Sequence, residues 1–301
     1  MELSLKDVRE VGNIELLARQ MVEGFITGLH KSPYHGFSVE FAEHQLYNSG
    51  ESTRHIDWKV FAKTDRLYTK RYEEETNLRC HLVLDCSSSM YYPKETKDKI
   101  TFSIMAAAAL TYLLQKQRDA VGLFAFTGQI DLQTPVRSTS SHAHKIFLIL
   151  ERLLKQESSQ QPTEIATVLH EIAQKIHKRS LVVLFSDMFH NQDQHEEVFT
   201  ALQHLKHHKN EVLIFHITDH QTELNFEFDD RPYEFIDLES GAKTRLVPGE
   251  IKSSYQQAMK NYYQQLKMKC NQFKIDLVEV DVQQPFQKVL SQYLIKRARM
   301  K

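Results

Sequence analysis

Asp85, Ser87 and Ser89 stand at alternate positions where the apolar run Leu82-Val83-Leu84 gives way to Cys86-Ser87-Ser88-Ser89-Met90. One carboxylate and two hydroxyls offer hard oxygen donors to a divalent cation such as Mg2+ or Mn2+, whereas zinc or copper would bring His or Cys ligands. The bland alternative is a polar loop that caps the next helix, because Ser and Asp are favoured N-caps. A six-coordinate ion needs oxygens from distant loops, and the chain supplies two more. Asp187 follows a second apolar run, Leu181-Val182-Val183-Leu184-Phe185-Ser186, and Thr163 follows Pro162 where a helix-like stretch begins. The candidate ligands are therefore Asp85, Ser87, Ser89, Thr163 and Asp187.

These residues need elements that bring them together. Short, wholly apolar runs read as strands buried on both faces of a parallel sheet. In such a sheet ligands collect beyond the carboxyl ends of the strands. From Lys97 onward, helix and strand patterns alternate, which is the signature of a doubly wound α/β domain. The strands are expected at Val121 to Phe126, at the edge run Gln129 to Val136, and at Leu181, Val212 and Ile275. Helices are expected over Ala106 to Leu114, Ala143 to Leu154, Thr163 to Ile176, Glu196 to His208, Lys252 to Lys269 and Phe286 to Lys301. Tyr233 to Val247 reads as an inserted hairpin turning at Ser240-Gly241. Ahead of this domain, Val8, Val11, Ile14, Leu17, Met21, Phe25 and Leu29 form an amphipathic helical stripe that should pack on the α/β domain. Next come a strand-like stretch at Gly36 to Phe41 and a turn at Tyr47 to Glu51.

The ligand set, in that order on those elements, resembles the metal-ion-dependent adhesion site of von Willebrand factor A domains. Upstream, Gly36 through Phe41, Tyr47, Gly50, Arg54, Asp57-Trp58 and Glu75 resemble the block that precedes such a domain in domain-of-unknown-function family 58. This sequence departs from that family's usual pattern at His44-Gln45-Leu46 and at Glu51. The resemblance implies a bacterial, von Willebrand A-like doubly wound, mostly parallel sheet flanked by helices, carrying an N-terminal helix and short-strand extension. It divides the chain into residues 1–78, the helix and family-specific block, and 79–301, the metal-binding domain. It also implies a partner, a MoxR-type AAA+ ATPase, and a client protein presenting an Asp or Glu to the ion. On that basis the chain is a non-enzymatic, metal-dependent interaction module. The alternative is a metal-dependent phosphohydrolase using the same crevice.

Arg54 and Asp57 beside the single tryptophan suggest an ion pair next to a buried ring, because buried charges are seldom unpaired. Other chemistries fit poorly. Ser87 lacks the G-x-S-x-G nucleophile elbow, Cys86 has no evident base, and there is no nucleotide-binding P-loop. His204, His207 and His208 read as a solvated helix face. The basic residues between Lys59 and Arg71 run straight into Glu73-Glu74-Glu75 and are joined by no stacking module, which argues against nucleic acid.

The 301 residues are 41% hydrophobic, with only 9 Gly and 7 Pro, enough for a folded chain throughout. A net charge of -1 gives no global pull toward nucleic acid or anionic membrane. Three scattered cysteines form no disulfide framework, no apolar run approaches a bilayer span, and the charged N-terminus does not read as a signal peptide. The expected compartment is the cytoplasm.

Overall fold

In the computed structural model the described residues are 13–28, 41–46, 58–72, 78–157, 164–189, 195–239 and 241–284. In chain order the elements are α1 (Ile14–Gly28), β1 (Phe41–Leu46), α2 (Trp58–Thr64), β2 (Tyr68–Tyr72), β3 (Arg79–Asp85), α3 (Asp98–Lys116), β4 (Ala120–Phe126), β5 (Ile130–Gln133), α4 (Ser140–Lys155), α5 (Ile165–Lys175), β6 (Leu181–Ser186), α6 (His195–His207), β7 (Glu211–Thr218), β8 (Tyr233–Ile236), β9 (Lys243–Leu246), α7 (Pro248–Gln272) and β10 (Asp276–Asp281). Chain packing groups residues 29–77 into one compact unit and residues 1–28 with 78–301 into another. The expected strand at 36–40, turn at 47–51 and closing helix at 286–301 lie outside the described residues.

In the smaller unit β1 pairs antiparallel with β2, with an irregularity between Phe41 and Glu43. Trp58 opens α2 and is 62% exposed, its ring meeting the edge of Phe61 at 6.1 Å between centroids. This corrects the expectation of a buried ring. A single tryptophan suggests a core anchor by composition, but a seven-residue helix offers little surface on which to bury one. Arg54 and Asp57 lie outside the described residues.

The larger unit is built on a six-stranded sheet ordered β10-β7-β6-β3-β4-β5. All neighbours are parallel except β5, which runs antiparallel to β4 at the edge. The result is a mostly parallel sheet with helices on both faces, the doubly wound α/β architecture expected from the alternating pattern and consistent with the von Willebrand A-like fold that the resemblance implies. One face carries α1, α3 and α4; the other carries α5, α6 and α7. Helix α3 is buried along nearly its whole length from Lys99 to Thr111, because the sheet, α1 and α4 enclose it. Its run Ala106 to Ala109 allows that close approach on several sides, and explains why its sequence shows little amphipathic contrast.

The strand order positions the site. From β3 the chain steps outward to β4 and β5, then returns to lay β6 against the other side of β3. The direction of winding therefore reverses between β3 and β6. Crevices at such reversals, beyond the carboxyl ends of the strands, are where open α/β sheets bind ligands.

Candidate metal centre

Asp85 is the last residue of β3, and Asp187 is the first residue after β6. The reversal of strand order thus places two carboxylates from sequence-distant strands at the neighbouring carboxyl ends of β3 and β6, where such folds form their ligand crevice, and both are essentially buried, at 2% and 1% exposure. Ser186 Oγ donates to Asp85 Oδ2 at 2.6 Å, and the Ser87 backbone N–H donates to Asp85 Oδ1 at 2.9 Å. Beyond β3 the chain turns through a short 3-10 segment, Ser88–Tyr91. That turn brings Ser87 Oγ and Ser89 Oγ to 3.0 Å of each other. Asp85, Ser87 and Ser89 are therefore gathered, as their alternate spacing predicts. Thr163 lies outside the described residues.

Asp187 has company that the sequence did not announce. Lys99 Nζ donates to Asp187 Oδ2 at 2.8 Å and to Glu223 Oε1 at 2.6 Å, with the lysine side chain fully buried. The Phe189 N–H donates to Asp187 Oδ1 at 3.1 Å, and His216 Nε2 contacts the Asp187 carbonyl at 2.8 Å. Both carboxylate oxygens of Asp187 thus already accept one hydrogen bond each. Glu223 comes from a single π-helical turn, His220–Leu224, inserted after β7. Its second oxygen accepts the Asp219 N–H at 2.8 Å.

Asp187 and Glu223 therefore share one buried lysine, and Asp85 lies within charge-interaction range of Asp187, so the three carboxylates and the lysine carry a formal charge of -2 when all are ionised. The consequence is visible at Asp85. Burial, then repulsion from Asp187, push its carboxyl up to about 6, although hydrogen bonds from Ser186 and Ser87 oppose the shift. Burial acts against the charge on Lys99, but the two carboxylates overcome it, so the lysine stays protonated. Burial also raises Cys86 far above the usual thiol range, which leaves a protonated, unreactive side chain beside the site.

The donor set fits a hard divalent ion. Two positive charges would balance the three carboxylates and one lysine. The 3.0 Å between the Ser87 and Ser89 hydroxyls equals the edge of an octahedron with bonds of ~2.1 Å. Among the described residues no three His, Cys, Asp or Glu side chains converge as a metal cluster. Such a site would accordingly rest on two carboxylates supplemented by hydroxyls.

The family profile described as "Protein of unknown function DUF58" matches residues 43–265. The chain belongs to the DUF58 family. Proteins similar to this DUF58 chain include the uncharacterized proteins Mb1516 of Mycobacterium bovis and Rv1480 of Mycobacterium tuberculosis, each 25% identical over 174 residues. The match takes in 58% of this chain and 55% of each relative, so the chain spans about half the length of the curated relatives it matches. Among solved structures, BatB from Bacteroides thetaiotaomicron aligns with a TM-score of 0.42 at 16% identity, covering 74% of this chain and 99% of that one. An aerotolerance-related membrane protein from Bacteroides fragilis aligns at 0.40 and 16%, covering 73% and 99%. Among the described residues of this DUF58 chain, no helix is long and apolar enough to cross a membrane.

Proposed function

We propose that this DUF58 chain is a metal-dependent protein-interaction module whose crevice between β3 and β6 holds Mg2+ or Mn2+. Asp85, Ser87 and Ser89 would supply oxygens directly, with Thr163 completing the set. Asp187, already engaged by Lys99, would contribute through its remaining lone pairs or through water. The observation that carries this reading is the placement of two buried carboxylates at the reversal of strand order, with two hydroxyls 3.0 Å apart beside them. Bound there, the ion would offer an open position to an acidic side chain of a partner. The family resemblance supports a MoxR-type AAA+ ATPase as the machine with which the module works, on a bacterial cytoplasmic client. No catalytic residue is assigned.

The test is thermal unfolding of the full chain with chelator and with added Mg2+ or Mn2+. An ion that binds only the folded state raises the melting temperature by mass action. The expected result is a rise in the wild type that Asp85→Ala abolishes. Equal behaviour of the two proteins refutes the metal site and leaves Asp85 as a cap.

A further inference from the structure

We propose that Lys99 is a tethered cation that senses occupancy of the Asp85–Asp187 crevice and relays it to the π-helical turn after β7; this rests on the ion-binding function proposed for that crevice. The inference starts from a buried ammonium held between two anions on different elements. Lys99 Nζ lies 2.8 Å from Asp187 Oδ2, at the crevice, and 2.6 Å from Glu223 Oε1, in the turn His220–Leu224. The rings of Tyr92 and Phe189 stand 5.7 and 5.5 Å from the same nitrogen. The lysine backbone is fixed as the second residue of α3, where its carbonyl accepts Ser103 Oγ at 2.9 Å. Lysine carries a compact charge on a flexible stem, so its head can redistribute between the two carboxylates without moving the helix.

Glu223 passes that redistribution on. One of its oxygens accepts the Asp219 N–H, and its backbone carbonyl accepts the Tyr255 hydroxyl of α7 at 2.8 Å. Two residues later, the Asn225 carbonyl accepts Gln256 Nε2 at 2.7 Å. The turn and the first half of α7 are thus tied to one carboxylate that is ion-paired, among the described residues, with Lys99. A divalent ion beside Asp187 acts on Lys99 in two ways. It takes up part of the Asp187 charge, and it repels the ammonium. Both effects shift the lysine toward Glu223 and tighten the turn. The coupling is reciprocal: a neutral residue at 223 leaves Lys99 wholly to Asp187, where it competes with the ion.

Hydrogen exchange of the full chain, with chelator and with saturating Mg2+, tests the relay. In the wild type, Mg2+ should slow exchange over 219–225 and the first turns of α7. In Glu223→Gln, Mg2+ should still raise the melting temperature, but exchange over 219–225 should not respond, and the ion should bind about 5-fold or more weakly, the low end of typical couplings. In Tyr255→Phe, which keeps Glu223 and the Gln256–Asn225 bond, the turn should respond as in the wild type and α7 less than in the wild type; this variant carries the test if Glu223→Gln fails to fold. A wild-type melting shift without any exchange response over 219–225 overturns the relay and leaves the metal site standing. The same exchange response in Glu223→Gln as in the wild type also overturns it. No melting shift in the wild type removes the ion site, and the relay with it.

Discussion

Replacing Asp85 by Asn should stabilise the ion-free protein and destabilise it relative to wild type once a divalent ion is present. The folded-state value of the Asp85 carboxyl is raised from 3.8 to about 6. A raised folded value means that the stability tied to this group is fully present below pH ~3.8 and is lost as pH rises through about 6. At pH 7 the ionised carboxylate therefore costs ~3 kcal/mol relative to its protonated form, at 1.36 kcal/mol per pH unit. Asn removes that charge while retaining an acceptor for the Ser87 N–H. Its amide nitrogen, however, meets Ser186 Oγ, which donates to Asp85 and already accepts the Met188 N–H at 2.9 Å. Rearranging that hydroxyl costs about 1 kcal/mol. The expected net gain is ~2 kcal/mol at pH 7 in chelator, turning into a loss of less than ~1 kcal/mol near pH 4, where the charge cost has nearly vanished and the hydroxyl rearrangement remains. With Mg2+ at a hundred times its dissociation constant, the wild type recovers ~2.7 kcal/mol by mass action and the order inverts. Urea denaturation at both pH values, with and without ion, measures all four quantities. An Asp85→Asn variant less stable than wild type at pH 7 in chelator would refute the charge argument itself.

Lys99→Met should cost about 3–5 kcal/mol in urea denaturation, because it strands Asp187 and Glu223 without their shared cation; a loss under about 1 kcal/mol would mean that the carboxylates are not held ionised. His81 is 3% exposed on β3, and neither ring nitrogen has a hydrogen-bond partner among the described residues. Burial, then nearby positive charge, lowers it from 6.5 to about 4. With the folded value depressed, the unfolded chain binds the extra proton between those values, so stability should fall as pH drops from about 6.5 to 4. His81→Phe should reduce the slope of that limb without abolishing it, because buried His216 is lowered over the same range, and an unchanged slope would count against a contribution from His81. Trp58→Ala should change stability by less than about 1 kcal/mol, as expected for an exposed side chain; a loss of about 3 kcal/mol or more would require a buried role for the ring.

The strands at the site were legible because β3 and β6 are covered on both faces, and complete burial writes itself as an unbroken apolar run. Asp85, Ser87 and Ser89 were legible for a related reason: their spacing is local, so the turn that gathers them is encoded within five residues. Lys99 was not. It sits in Lys97-Asp98-Lys99, which looks like an ordinary charged helix start, and its partners lie 88 and 124 residues away. A signal was present, since stepping from Lys99 to Phe102 and Ala106 follows one helical face that is otherwise apolar. A charge on such a face demands a partner. Glu223 had no comparable signal, because a single π-helical turn has no period to read. Trp58 misled for the opposite reason: rarity in the composition says nothing about which way a ring faces.

The return of the chain from β5 to β6 also has a consequence for synthesis. Strand β3 pairs with β4 on one side as soon as residue 126 is available, but its other side stays bare until β6 arrives, and Asp85 and Ser186 are 101 residues apart. At ~5–20 residues per second, the ribosome leaves that apolar edge uncovered for roughly 5–20 s. An unpaired strand edge is a template for pairing with another chain. An interval of exposed strand edge therefore falls before the second carboxylate has been made, and crowding of nascent chains on one message would lengthen the odds against correct pairing.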